Sequence, residues 1–519
     1  MNIASLLRSV PEPDRPAIIF SAPTKSVTTF RELDDLSSRL AEGFYVKGLR
    51  ANDRAVILAP ISINLYASLI ALFKLGATAV FLDPQTGYKQ LNTAIRLANA
   101  CAFIGRRKAL WLRCFLPALQ HIPHMFLSEG NGMNSLQRIK QAFSPRRTTA
   151  DAGDDAPALI TFTGGSTDSS GPRGVIRTHR LLIAQHTALR RALPAQMTDV
   201  DLPAFPVVTL HNLASGITSV IPDFHFRRPG AVQPDKILRQ INTCRVTTAS
   251  GPPAYWSAIA SHCLRYGYTL PLRRIITGGA PASPDLIQQL SRIAPHTDIL
   301  NLYGSTEAEP VAVISAREFL DEVTKQIETG SGVLLGRSVP DICVRILDGN
   351  GEVRASGQVG EIWVSGEHVA RNYFANPQAE SENKRFDAAG TLWHRMGDIG
   401  HVDESGRLWL DGRVNTIVMR GQCPIYPMPV ETVAASLPFV RRAALIGVPD
   451  ENLGERSVLV VEFEVDVVKP NDWRAQLQAL CAQQDWIVDE VHSIRRLPVD
   501  ARHNSRIDYT RLKSQMINK

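Results

Sequence analysis

Between Ser26 and about Gly87, short apolar runs alternate with longer stretches whose apolar residues recur at helical spacing. "RAVILAP" reads as a buried strand, "INLYASLIALFKLGA" as a helix stopped by a glycine, and "TAVFLDP" as another strand. Upstream, "TFRELDDLSSRLAEGFYVKGL" is predicted to be a helix with Thr29 as its N-cap. A βαβ rhythm of this kind constrains the chain to an open α/β sheet with helices on its faces. The rhythm returns in "DKILRQINTC", "VTTASGP", "LRRIITGGAP", "SPDLIQQLSRIA" and "DILNLYGSTE".

Near Gly351 the character changes. "GEVRASGQVGEIWVSGEHVARNYF" is strand-rich and punctuated by glycine, which predicts a small antiparallel or barrel-like piece. "GHVDESGRLWLDGRV" predicts a hairpin turning near Ser405 and Gly406. After Arg413 comes an α+β segment with a helix around "PVETVAASL", strands "RRAALIGVP" and "RSVLVVEFEV", and a helix "DWRAQLQALCAQQ". A chain of 519 residues exceeds one ordinary core. The expected organisation is an α/β N-terminal domain of stacked sheets with a strand-rich subdomain (1–412), then a small α+β domain (413–519).

A hydrophobic fraction of 44% with 21% charged residues fits a soluble globular protein. The net charge of +7 is scattered in short groups such as "GRRKALWLR" and "SPRRTT". These read as solvated surface, and nothing resembles a nucleic-acid module. Cysteines without a C-x-x-C pair argue against a zinc site or a disulfide framework. The N-terminus lacks a long apolar h-region, and no apolar run reaches membrane-spanning length. The expected location is cytoplasmic.

"TFTGGSTDSSGPRG" (Thr161–Gly174) lies between two predicted strands and is dense in backbone N–H groups and hydroxyls. Successive amides in such a turn form an anion nest suited to a polyphosphate; an ordinary surface loop is the alternative. It is not a Walker A loop, since no G-K-[ST] follows to open a helix. "TGGAP" (Thr277–Pro281) and "NLYGSTEAEP" (Asn301–Pro310) close two further strands, at the sheet edge where α/β proteins bind ligands. There, glycines let backbone approach a flat ring. Tyr303 can stack on a base, Thr306 can bind phosphate, and Glu307 can hold Mg²⁺. Asp398 in "MGDIG" and Arg413 in "DGRVN" together suit ribose hydroxyls. Singly, each motif is also an ordinary turn or surface group; their order along the chain carries the reading.

In that order, these segments resemble the adenylate-forming ligases. The loop resembles T-S-G-[ST]-T-G-x-P-K-G, and "WHRMGDIGHVDESGRLWLDGR" resembles the ribose segment and hinge. More narrowly, "ALFKLGATAVFLDPQTGYKQL", "WHRMGDIG" and "LPVDARHNSRID" are similar to the β-lactone synthetases of bacterial olefin biosynthesis. Those enzymes adenylate a β-hydroxy acid, whose hydroxyl then displaces AMP. The resemblance implies ATP and Mg²⁺ as cofactors and a small carboxylic acid as substrate. The acceptor would be the acid's own hydroxyl, CoA, a carrier protein or an amine. It also implies that Thr163, Gly165, Ser166, Thr167 and Arg173 cradle phosphates. Gly279, Ala280 and Pro281 would line one face of adenine and Tyr303 the other, and Asn301, Gly304 and Ser305 would bind the nucleotide. Thr306 would meet the α-phosphate, Glu307 the metal, and Asp398 and Arg413 the ribose. Asn415 would be the hinge, and Arg506 would act on the α-phosphate. His211, Tyr255, Gly278 and Glu309 are the candidate acyl-pocket residues.

The chain departs from the family pattern in four places. Gly164 replaces a serine and "DSSG" lengthens the loop. Arg173 and Arg506 each stand where the family has lysine, and a planar fork is not a point charge. "IVMRGQCPIYPMPVE" lacks the lysine-bearing pattern of CoA-using members. These departures keep open a non-catalytic nucleotide-binding relative. A serine hydrolase, suggested by "GGSTD", is disfavoured because the loop leads into a strand and not a helix.

Overall fold

The computed structural model describes residues 1–8, 10–21, 25–82, 87–130, 132–146, 148–163, 172–226, 228–464, 467–499 and 506–517. Three sheets organise them. In the largest, six neighbouring strands run parallel: Asp298–Tyr303, Arg274–Gly278, Thr248–Gly251, Val200–Pro203, Thr218–Ile221 and Pro16–Phe20. Helices such as Pro253–Tyr266 and Pro284–Ile293 cover them, burying Trp256, Ile259, Leu286 and Leu290.

The strand-rich region is antiparallel, as predicted, and it is not a separate barrel. Strands Ala312–Ser315 and Val333–Ser338 hydrogen-bond it onto the parallel run, so Arg407–Arg413, Leu392–Val402, Gly360–Ser365 and Cys343–Leu347 extend the same sheet. The predicted hairpin turns at Gly406, whose φ of 74° is left-handed.

The second sheet holds the first βαβ units. Arg54–Leu58 lies between Thr78–Phe81 and Ala102–Gly105, all parallel. Helix Phe30–Val46 packs nearby and starts with a capping box: Thr29 accepts from the Glu32 amide and Glu32 accepts from the Thr29 amide. Helix Ile63–Leu75 ends at Gly76, whose left-handed φ of 71° an L side chain would resist. It is buried along nearly its whole length.

The third sheet, five-stranded, spans Val418 to Ser493 and has its own core around Leu445, Leu459, Val461 and Leu477. Helices Pro427–Ala434 and Trp473–Ala482 form where "PVETVAASL" and "DWRAQLQALCAQQ" predict them.

Candidate active site

The carboxyl ends of the parallel strands open into one cleft of about 2480 Å³. Two strand ends meet there. A Cβ on Gly278 would lie 2.8 Å from the Leu302 carbonyl, so only glycine lets strands Arg274–Gly278 and Asp298–Tyr303 close up at their ends. Gly279 follows with a φ of 78° and turns the chain, bringing Gly279, Ala280 and Pro281 to the cleft wall. On the neighbouring strand Asn301 and Tyr303 line the cleft, followed by Gly304, Ser305 and Thr306. That turn is closed by the Ser305 amide donating to the Ala308 carbonyl at 2.8 Å.

Tyr303 donates its hydroxyl to Asp398 at 2.6 Å, and Arg413 pairs with the other Asp398 oxygen at 3.0 Å. Asp398 and Arg413 are register partners on adjacent antiparallel strands. Asn301 Oδ1 is buried on the cleft wall without a hydrogen-bond partner among the described residues. A buried acceptor of that kind normally has a donor, and an exocyclic amine of a nucleobase would supply one.

Glu307 is half-buried beside three groups from a distant part of the chain. Tyr373 donates its hydroxyl to Glu307 Oε1 at 3.1 Å. Lys384, 8% exposed, donates to the Ala370 carbonyl, and its ammonium lies 5.4 Å from the Tyr373 ring centre. His394 shares its strand with Asp398 and donates from Nδ1 to the Asn383 carbonyl at 3.1 Å. Burial pushes the Glu307 carboxyl up, but His394, Lys384 and the Tyr373 hydroxyl outweigh it and hold the group below the usual carboxylate range. Burial, then Lys384, push His394 itself down to about 3, so the ring is neutral at physiological pH. Lys384 is therefore the cation beside Glu307, its own pKa lowered by burial to about 8.

Arg177 is a second buried cation on the wall, 6% exposed. It donates to the Thr306 carbonyl at 2.8 Å, and Glu309 and Glu307 partly offset the burial that lowers its pKa. Burial raises the Glu309 carboxyl and Arg177 opposes the rise. Arg506 reaches back from beyond the third sheet and donates to the Gly279 carbonyl at 2.6 Å. Asn415, in the short helix Val414–Thr416, also lines the cleft.

Not every candidate sits on the wall. Gly165, Ser166 and Thr167 lie outside the described residues, as does the side chain of Thr163, while Arg173 lines the cleft. Of the four acyl-pocket candidates only Glu309 lines it. Gly278 is buried behind its own strand end. Tyr255 is fully buried between Phe224 and Trp256, each with a ring centre 5.2 Å away. His211 turns from the cleft to pair with His186, Nδ1 to Nδ1 at 3.2 Å. Burial pushes these two rings down to about 3 and about 4, leaving a neutral pair in which one donates and the other accepts.

The wall beyond the polar groups is apolar instead. Leu58, Ile61, Leu65, Leu69, Phe81, Phe205, Leu210, Phe224 and Phe226 line it, from helix Ile63–Leu75 and the ends of both sheets. Lys384, His394, Tyr373 and Arg177 were not found from sequence. The only available signal was an arginine standing in the apolar, strand-forming run "VIRTH".

A model of the AMP-binding enzyme family matches residues 8–374. An olefin β-lactone synthetase of Xanthomonas campestris is 33% identical over 508 residues, covering 93% of this chain and 90% of that protein. One from Stenotrophomonas maltophilia is 33% identical over 512 residues, with the same coverage. In structure the chain is similar to an amide bond synthetase, McbA, of Marinactinospora thermotolerans, with a TM-score of 0.83, 23% identity and 99% of each chain covered. ATP-bound MatB of Rhodopseudomonas palustris gives a TM-score of 0.84 at 22% identity, covering 100% of this chain and 99% of that one. The chain belongs to the AMP-binding enzyme family. It is an adenylate-forming acid ligase that uses ATP to activate a small carboxylic acid and passes the acyl group on. Among the described residues no helix is long and apolar enough to cross a membrane.

Proposed function

We propose that this ligase adenylates an acid with an apolar body and a β-hydroxyl, and that the hydroxyl then closes a β-lactone. The single observation that carries the reading is the composition of the cleft. A polar end built from Asn301, Tyr303, Asp398 and Arg413 continues into a wall of Leu, Ile and Phe side chains. Two relatives named for β-lactone synthesis, each 33% identical, support the lactone product.

In this reading adenine lies between the Gly279–Pro281 turn and Tyr303, with Asn301 Oδ1 accepting from its amine. Asp398 and Arg413 take the ribose. Thr163, Gly165, Ser166, Thr167 and Arg173 hold the outgoing phosphates, and Ser305 and Thr306 the α-phosphate. Glu307 is one carboxylate, held ionised, and no cluster of three metal-ligating side chains occurs among the described residues. That donor set fits Mg²⁺, which takes one or two carboxylates and completes its shell with phosphate oxygens and water. Bound there, the ion would neutralise phosphate charge.

The acid's carboxylate oxygen attacks the α-phosphorus and pyrophosphate leaves. Arg506 offsets the charge gathering on that phosphorus, an electrostatic task for which a fixed donor is worth about 10²–10³ in rate. The β-hydroxyl oxygen next attacks the acyl carbon. The C–O bond to AMP breaks, the ring closes, and the hydroxyl proton is lost. No outside acceptor is required. The small domain, 413–519, turns about Asn415 between the two steps.

The test is pyrophosphate release across a panel of long-chain β-hydroxy, plain fatty, aryl and amino acids, with products identified by mass spectrometry. Release with the apolar β-hydroxy acid and a product lighter than it by one water support the proposal. An acyl-AMP that persists until CoA or an amine is added would replace lactone closure with transfer to that acceptor.

A further inference from the structure

The basic stretch "GRRKALWLR" has no part in the adenylation chemistry, and it sits in a long segment without acidic residues. Between Asp83 and Glu129 there is no acidic residue, while Lys89, Arg96, Arg106, Arg107, Lys108 and Arg113 are basic. This run carries a formal +6, against +7 for the whole protein. It also holds large apolar side chains turned to solvent. Trp111 is 73% exposed, Phe115 70% and Tyr88 67%.

The topology gathers Tyr88, Lys89 and the start of the basic stretch at one edge, while Arg96 lies near the far end of its helix, beside the start of strand Arg54–Leu58. Strands Thr78–Phe81, Arg54–Leu58 and Ala102–Gly105 are parallel neighbours, so their carboxyl ends share one side of the sheet. Helix Tyr88–Ala98 starts just beyond the first, and the 3₁₀ helix Arg107–Cys114 just beyond the third. The same edge opens into the cleft, because Leu58, Ile61, Leu82, Gln90 and Arg106 line it. Tyr88 and the 3₁₀ helix that carries Trp111 thus start beside one mouth of the apolar wall, where Arg106 lines it.

We propose that this face docks on an anionic bilayer surface. Tyr88, Trp111 and Phe115 enter the headgroup region while the basic side chains meet lipid phosphates, the combination that holds peripheral proteins at membranes. Charge complementarity favours an anionic surface, and exposed indole and phenyl rings favour lipid over a soluble polyanion. That the docked face hands an apolar acid directly to the cleft rests on the reading of the substrate above; docking itself does not.

The test is co-sedimentation of the full chain, without substrate, with vesicles of phosphatidylcholine alone and of phosphatidylcholine mixed with phosphatidylglycerol. Binding is expected only to the mixed vesicles and is expected to weaken steeply with salt. R107E/K108E should weaken it about tenfold or more, and W111A/F115A several-fold. Both variants should keep the wild-type melting temperature and pyrophosphate release with detergent-dissolved acid. Wild-type protein that ignores the mixed vesicles, or variants that bind them as wild type does, would overturn the proposal. So would binding of an acidic carrier protein or of nucleic acid through these residues without vesicle binding. Since vesicle binding is read without catalysis, its failure leaves the adenylation reading intact, and an inactive enzyme that still docks leaves this one intact.

Discussion

Asp398 and Arg413 are register partners across an antiparallel pair, and Asp398 accepts from the Tyr303 hydroxyl as well as from the Arg413 guanidinium. The carboxylate is 8% exposed and the guanidinium 49%, so the two substitutions have different consequences. D398A leaves the Tyr303 hydroxyl buried without its acceptor, a loss of about 1–3 kcal/mol. It should lower the melting temperature and weaken ATP binding together. R413A should weaken ATP binding with little change in melting. Calorimetric ATP titration beside a thermal melt checks both.

Lys384 is expected to act through Glu307. K384M removes the cation that keeps Glu307 ionised and should cut pyrophosphate release about 10²-fold or more, with K384R recovering part of it. Burial lowers Lys384 to about 8, so the ammonium is present below that pH and lost above it. The kcat/KM of wild-type enzyme should fall as pH rises through about 8. K384M should lack that limb, a readout that a merely structural role would not move.

Arg177, itself buried, lies within electrostatic reach of two half-buried carboxylates, Glu307 and Glu309. R177M leaves both without it and should lower stability. E309Q on its own should cost less. In R177M/E309Q the loss should be smaller than the sum of the singles, because removing the second charge relieves the first defect. Denaturant unfolding of the four proteins gives the coupling directly.

The neutral pair His186 and His211 predicts acid lability. Burial lowers their pKa values to about 4 and about 3, below the 6.5 of an ordinary histidine. The unfolded chain takes up protons first as pH falls. The stability they allow is therefore complete above about pH 6.5 and declines as pH falls towards 4. Each histidine contributes a slope of at most about 1.4 kcal/mol per pH unit. H211L should flatten the dependence of unfolding free energy on pH between 4 and 6.5.

Much of this fold is written locally. The capping box at Thr29 and Glu32, the stop at Gly76 and the turn at Gly406 each depend on a few adjacent residues, and the structure forms all three. The Asp398–Arg413 pairing was legible because both lie on one hairpin. The surroundings of Glu307 were not, because Arg177, Tyr373 and Lys384 come from segments far away in sequence that meet only after the sheets assemble. His211 and Tyr255 show a different limit. Their segments approach the cleft, but which side of a helix faces it is decided by packing, and both side chains pack away from it. The joining of the strand-rich region to the parallel run was equally hidden, since sequence shows strands and not their neighbours.

The central claim is that one cleft activates an apolar β-hydroxy acid with ATP and closes it on itself. The most direct measurement is mass spectrometry of the products from ATP, Mg²⁺ and a long-chain β-hydroxy acid, with no other acceptor, alongside pyrophosphate release. The account predicts acid-dependent release, AMP, and a product equal to the acid less one water, with all three lost in E307Q and R506A. Pyrophosphate release that leaves the acid as acyl-AMP would contradict lactone closure, and unchanged release in both variants would contradict the site itself.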